Sequence, residues 1–126
     1  ASGGELSRIS LAIQVAAIDS NSTATMVFDE VDSGIGGGIA EIVGDRLRKL
    51  GSTQQVLCIT HLPQVAAQSH HHLLVEKASD DENTQSRVRP LDSKQRQQEI
   101  ARMLGGIKIT EQTLAHAGEM LGWIKE

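Results

Sequence analysis

The stretch Thr25-Met26-Val27-Phe28-Asp29-Glu30-Val31-Asp32-Ser33-Gly34-Ile35-Gly36-Gly37 decides the fold. Its first half is a short, apolar, partly β-branched run, which reads as a buried strand of a parallel sheet. The run stops abruptly at two adjacent carboxylates and a glycine-rich turn. In an open α/β sheet, ligands sit outside the carboxyl ends of the strands, so chemistry is expected here. Side chains alternate along an extended strand, which points Asp29 and Glu30 to opposite sides and lets them take different roles. One carboxylate can hold the water shell of Mg²⁺ while the other polarises an attacking water. The competing reading is a solvated acidic turn that closes a strand, since Asp and Gly mark turns generally.

Upstream, Ser2-Gly3-Gly4-Glu5 opens a helix predicted to run to about Ser20. Ser2 and Glu5 have the spacing of a capping box, which by itself needs no ligand. Each glycine, however, costs about 1 kcal/mol in a helix relative to alanine. That cost is justified where another molecule's phosphate must approach bare N–H groups at the positive end of the helix. Leu6, Ile9, Ile13 and Ala16 mark one face of this helix and Leu11, Val15 and Ile18 another, so it is expected to be sandwiched.

Downstream, Ile39, Val43, Leu47 and Leu50 predict an amphipathic helix ending at Gly51, with Glu41, Asp45, Arg48 and Lys49 on its solvated face. A second buried strand, Gln55 to Thr60, stops at His61. The strand–helix–strand order implies a right-handed crossover and parallel strands. His61 is thereby expected on the same sheet edge as Asp29 and Glu30. Pro63 suits the first turn of a short helix through Val65 and Ala66.

His70-His71-His72 invites a metal, but in an extended strand His70 and His72 alone share a face, and no nearby Cys completes a tetrahedral set. Leu73 to Lys77 and Ser86 to Arg89 predict an antiparallel hairpin with a long polar tip. Ser93 and Thr110 are candidate caps for two further helices, the first carrying Ile100, Met103 and Leu104, the second Leu114, Ala117, Leu121 and Ile124. Trp123 is expected to pack, and Arg87, Arg89, Lys94 and Arg96 are expected to be solvated charge.

The 126 residues are 39% hydrophobic, enough for one domain with a core, which at 2% aromatic must be aliphatic. The net charge of −4 argues against a dedicated nucleic-acid-binding surface. The one cysteine, Cys58, excludes an intramolecular disulfide and fits a reducing cytosol. No apolar run reaches membrane-spanning length. A start at Ala1, inside a motif and without Met, reads as a piece of something longer.

Taken together, Ser2-Gly3-Gly4-Glu5, the strand Met26 to Glu30, the acidic turn and the strand-terminal His61 resemble the second half of an ABC-type ATPase head. Transport ATPases usually follow the glutamate with Pro-Thr, whereas Glu30-Val31-Asp32 is similar to the SMC branch. Ser2 to Arg8, Phe28 to Gly37 and Thr60 to Ala67 closely resemble the RecN family of SMC-like bacterial DNA-repair proteins, and the likeness continues more weakly through Glu99 to Gly106.

The resemblance implies an α/β fold, the C-terminal half of an ATPase head spanning residues 1–126, with parallel strands, flanking helices and an antiparallel hairpin. It implies Ser2, Gly3, Gly4 and Glu5 as the signature that meets a nucleotide on a partner head, Asp29 as the Walker B residue assisting Mg²⁺ through water, and Glu30 and His61 as catalytic residues. Asp32 and Ser33 would belong to the D-loop, with Asp32 helping to join the two sites. ATP and Mg²⁺ are the implied cofactors. No Gly-x-x-x-x-Gly-Lys-Ser/Thr run occurs in these residues, so the phosphate loop is expected in an N-terminal half-head beyond a coiled coil, and the chain alone is expected to be inactive. The implied partners are that half, a second head and DNA through the full-length protein, with no membrane and a cytoplasmic, nucleoid-associated location. Two readings from other classes are the nucleotide-binding subunit of an ABC transporter and a non-catalytic metal-binding domain.

Overall fold

The computed structural model describes residues 12, 25–29, 34–80, 82–105 and 108–122. Along β1 (Thr25–Asp29) the side chains alternate, with Met26 and Phe28 buried and Val27 62% exposed. The strand is therefore buried on one face, not on both as the apolar run suggests. β2 (Gln55–Ile59) repeats the pattern: Val56 and Cys58 lie partly buried against the core, while Leu57 and Ile59 are exposed. The two strands pair in parallel with Thr25 opposite Gln55 and Asp29 opposite Ile59, as the crossover rule requires. At the start of the ladder Thr25 Oγ1 donates to Gln55 Oε1 at 2.8 Å.

The connecting helix α1 (Gly37–Gly51) buries Ala40, Val43, Gly44, Leu47 and Leu50. Ile39, expected on this face, is exposed, and Ala40 takes the place instead. Gly34, in the turn before α1, has φ +73°, a left-handed conformation that favours glycine. Arg48 and Lys49 in the last turn complement the negative end of the helix dipole. The one-turn helix α2 (Pro63–Ala66) begins on its proline, which needs no N–H there. It lies so close to α1 that a Cβ on Gly44 would come within 3.1 Å of Gln64 O and 3.2 Å of Val65 Cα.

β3 (Leu73–Ser79) and β4 (Thr84–Pro90) form an antiparallel hairpin, with Leu73 opposite Pro90 and Ser79 opposite Thr84. Of the tip predicted over Ser79 to Thr84, its two end residues belong to the ladder. Asp80 and Asn83 exchange backbone hydrogen bonds at 3.0 and 3.2 Å to close the turn. Helix α3 (Ser93–Gly105) is capped by Asp92 rather than Ser93: Asp92 Oδ1 accepts from Gln95 N–H at 2.8 Å, and Gln95 Oε1 accepts from Asp92 N–H at 3.0 Å. Helix α4 (Glu111–Gly122) is capped as expected, with Thr110 Oγ1 accepting from Thr113 N–H at 3.1 Å.

Two cores result. Met26, Phe28, Ala40, Val43, Leu47, Leu50 and Val65 form one between the parallel pair and α1. Ala66, Ala67, Ile100, Ala101, Ala117 and Met120 form the other between α3 and α4. The short α2 touches both α1 and α3 and so links the two cores.

Candidate functional site

The parallel register creates the rim. Asp29 ends β1 opposite Ile59, and Thr60 and His61 come directly after the end of β2. Asp29 and His61 thus leave the sheet at the same end, and both are exposed. Strand alternation puts Asp29 on the face shared by Thr25 and Val27, away from the core. Its carboxylate is open to solvent, where a hydrated cation can reach it. Glu30, Asp32, Ser33 and the whole Ser2-Gly3-Gly4-Glu5 motif lie outside the described residues, as do the predicted first helix apart from Ala12, Trp123 and Ile124.

The segment after His61 is tightly held. Leu62 N–H donates to Thr60 Oγ1 at 3.0 Å, and Leu62 O accepts from Val65 and Ala66 N–H at 3.1 and 3.0 Å. At the other end of α2, Ala66 O accepts from Ser69 N–H at 3.2 Å and Ser69 Oγ at 2.8 Å, and two guanidinium groups donate to the carbonyls there as well. Arg48 Nη1 donates to Gln68 O at 2.8 Å. Arg96 Nη2 donates to Ala66 O and Ala67 O, each at 3.1 Å, to Ser69 O, and to Ser69 Oγ at 2.9 Å. Arg96 is half-buried, so the expectation of solvated charge is wrong for it. Burial, then the charge of Arg48, lowers its proton affinity from the ordinary guanidinium value, yet it meets carbonyl acceptors that favour the charged form. Arg89 is likewise committed, making a two-point contact with Glu76 across the hairpin at 3.1 Å. That contact holds the Glu76 carboxyl below its usual value.

His70, His71 and His72 precede β3 and do not lie within it. His72 forms the base of the hairpin, its carbonyl accepting from Leu91 N–H at 3.0 Å. Burial first, and then the nearby Arg96, lower its pKa against an opposing pull from Glu99. Imidazole is a common metal ligand, but among the described residues no three His, Cys, Asp or Glu side chains converge to hold a metal. Also among the described residues, no helix is long and apolar enough to cross a membrane.

No protein-family model matches the chain. Curated proteins do. It is 60% identical over all 126 residues to the DNA repair protein RecN of Xylella fastidiosa (strain 9a5c), covering 23% of that protein. It is 55% identical to RecN of Vibrio cholerae and 44% identical to RecN of Bacillus subtilis, in each case over 121 residues, which are 96% of this chain and 22% and 21% of those proteins. The chain therefore spans under a quarter of the length of these relatives. A solved structure described as "Structural biochemistry of ATP-driven dimerization and DNA stimulated activation of SMC ATPases" matches with a TM-score of 0.62 at 18% identity, over 86% of this chain and 65% of that one. In sequence the chain is similar, over 96–100% of its length, to part of proteins named DNA repair protein RecN, and in fold it is similar to the structure described for SMC ATPases.

Proposed function

We propose that the chain is the C-terminal half of an ATPase head in a RecN-like DNA-repair protein, and that its rim hydrolyses ATP once a phosphate-binding half is added. The observation that carries this reading is the parallel register, in which β1 and β2 end together at Asp29 and at Ile59-Thr60-His61. The names of its sequence relatives and the SMC-type fold support it. The described residues fit Mg²⁺–ATP in part. They supply an exposed strand-end carboxylate, while the sequence offers no phosphate-cradling loop.

When bound, Mg²⁺–ATP would supply the phosphoryl group and neutralise charge on it. In this reading Asp29 holds the metal's water shell. Glu30 orients or deprotonates the attacking water, and His61 stands at the γ-phosphate. Ser2, Gly3, Gly4 and Glu5 cap nucleotide held by a second head, and Asp32, with Ser33, joins the two sites. Nucleotide then acts as glue between heads, hydrolysis releases them, and the full-length protein couples that cycle to DNA at breaks.

In a full-length RecN protein carrying these residues, Glu30→Gln is expected to slow ATP turnover by about 10²-fold or more while ATP-driven dimerisation persists. Parental turnover in the variant removes Glu30 from the role of base. The isolated chain is expected to bind ATP negligibly, and calorimetry showing micromolar affinity would contradict the missing-half reading.

A further inference from the structure

Four residues do not hold a helix by themselves, because helix nucleation is unfavourable and the last carbonyls lack partners. The shape of α2 therefore depends on what is attached to it. Its N-terminal end is tied to Thr60 and Leu62, the residues flanking His61, and its C-terminal end is gathered by Arg96. Arg96 comes from α3, on the far core, and belongs to none of the sequence motifs. Val65 sits in the core under the parallel pair and Ala66 and Ala67 in the core of α3 and α4, so a shift of α3 pulls on the segment that starts at His61. One atom of Arg96, Nη2, reaches three carbonyls and the Ser69 hydroxyl, while its buried Nε meets no hydrogen-bond partner among the described residues, so the hold on α2 depends on where that one nitrogen is placed.

We propose that Arg96 is a positioning residue for His61: by gathering the carbonyl end of α2 onto α3, it fixes the backbone that presents the imidazole at the rim. The proposal rests on the nucleotide-site reading of His61 and adds to it a residue that never touches nucleotide. It also makes the α3–α4 unit part of the hydrolytic apparatus, since displacing that unit displaces His61.

The test is steady-state ATP turnover by a full-length RecN protein carrying these residues, with Arg96→Lys and Ser69→Ala made alone and combined with His61→Ala, and with melting temperatures for every variant. Arg96→Lys is expected to lower kcat by about 10-fold with KM for ATP changed by less than about 2-fold, the mark of a misplaced group rather than lost binding. In the His61→Ala background the same substitution is expected to lower kcat no further. Ser69→Ala removes one acceptor of Arg96 and the bond that Ser69 Oγ donates to Ala66 O at 2.8 Å, without stranding a buried charge, and is expected to lower kcat by about 2-fold in the parent and not at all in the His61→Ala background. It decides the matter should Arg96→Lys fail to fold. Native kcat in the folded single variants, or an equal further loss in both backgrounds, overturns the proposal while leaving the site intact. Native kcat in His61→Ala alone instead removes His61 from the site, and the proposal falls with that reading.

Discussion

β1 and β2 lie parallel and send Met26 and Phe28 into a core, whereas β3 and β4 lie antiparallel and, apart from Leu74, expose every residue. The difference comes from connection. A parallel pair needs a crossover helix, and that helix must be packed against the strands to close the unit. An antiparallel hairpin needs a turn and a ladder, here closed by Asp80 and Asn83 and by the Glu76–Arg89 pair. A rim fixed by a core can hold side chains for chemistry. A hairpin held by its own ladder can project from the molecule, and its sequence is set by local pairing.

The strongest way to break this contrast is truncation. Leu50 and Ile100, each 0% exposed, anchor the two cores. Replacing either with Ala is expected to cost about 2–5 kcal/mol, read from the urea midpoint. A loss below about 1 kcal/mol at Leu50 would mean that the parallel pair does not depend on its core.

A smaller effect is expected from pH through His72, whose carbonyl ties the hairpin base to Leu91 and whose half-buried ring lies within reach of the charges of Arg96 and Glu99. Its folded-state pKa lies below the ordinary 6.5, so on acidification the unfolded chain takes up the proton first. This contribution to stability is present above that value and is lost as pH falls below it, towards the folded-state value. His70, shifted in the same direction, adds to the trend. Urea midpoints are expected to drop between pH 7.5 and 5.5, with a shallower drop in His72→Gln; an unchanged slope in the variant would clear His72 of the effect.

The smallest effect is expected at Val75 and Val88, which face each other across the ladder and are both exposed. Either replaced by Ala is expected to stay within about 0.5 kcal/mol. A loss there as large as at Leu50 would erase the distinction between the two β-pairs.

Much of this architecture is legible in the chain because it is written in local spacing. The apolar runs ending at Asp29 and His61, the proline opening α2 and the Thr110–Thr113 cap are all local signals. The cap at Asp92 was legible too, since Gln95 stands three residues on, but Ser93 is an equally good capper and competes for the role. One-sided burial of β1 was not legible, because Met-Val-Phe is apolar whether one face is covered or two. Ser79 and Thr84 look like loop, yet their polarity reports exposure and they pair in the ladder. Arg96 left no local trace at all. Apart from the Ser69 hydroxyl its partners are main-chain carbonyls far back along the chain, and a bond to a carbonyl places no demand on the identity of the partner residue.

The central claim is that the rim exists for chemistry and contributes little to the fold, as the exposure of Asp29 and His61 suggests. ATP turnover and melting temperature measured on the same samples of a full-length RecN protein carrying Asp29→Asn or His61→Ala test it directly. The expected result is turnover lower by about 10-fold or more in each variant at a parental melting temperature. Parental turnover per folded molecule together with a collapsed melting temperature would contradict it.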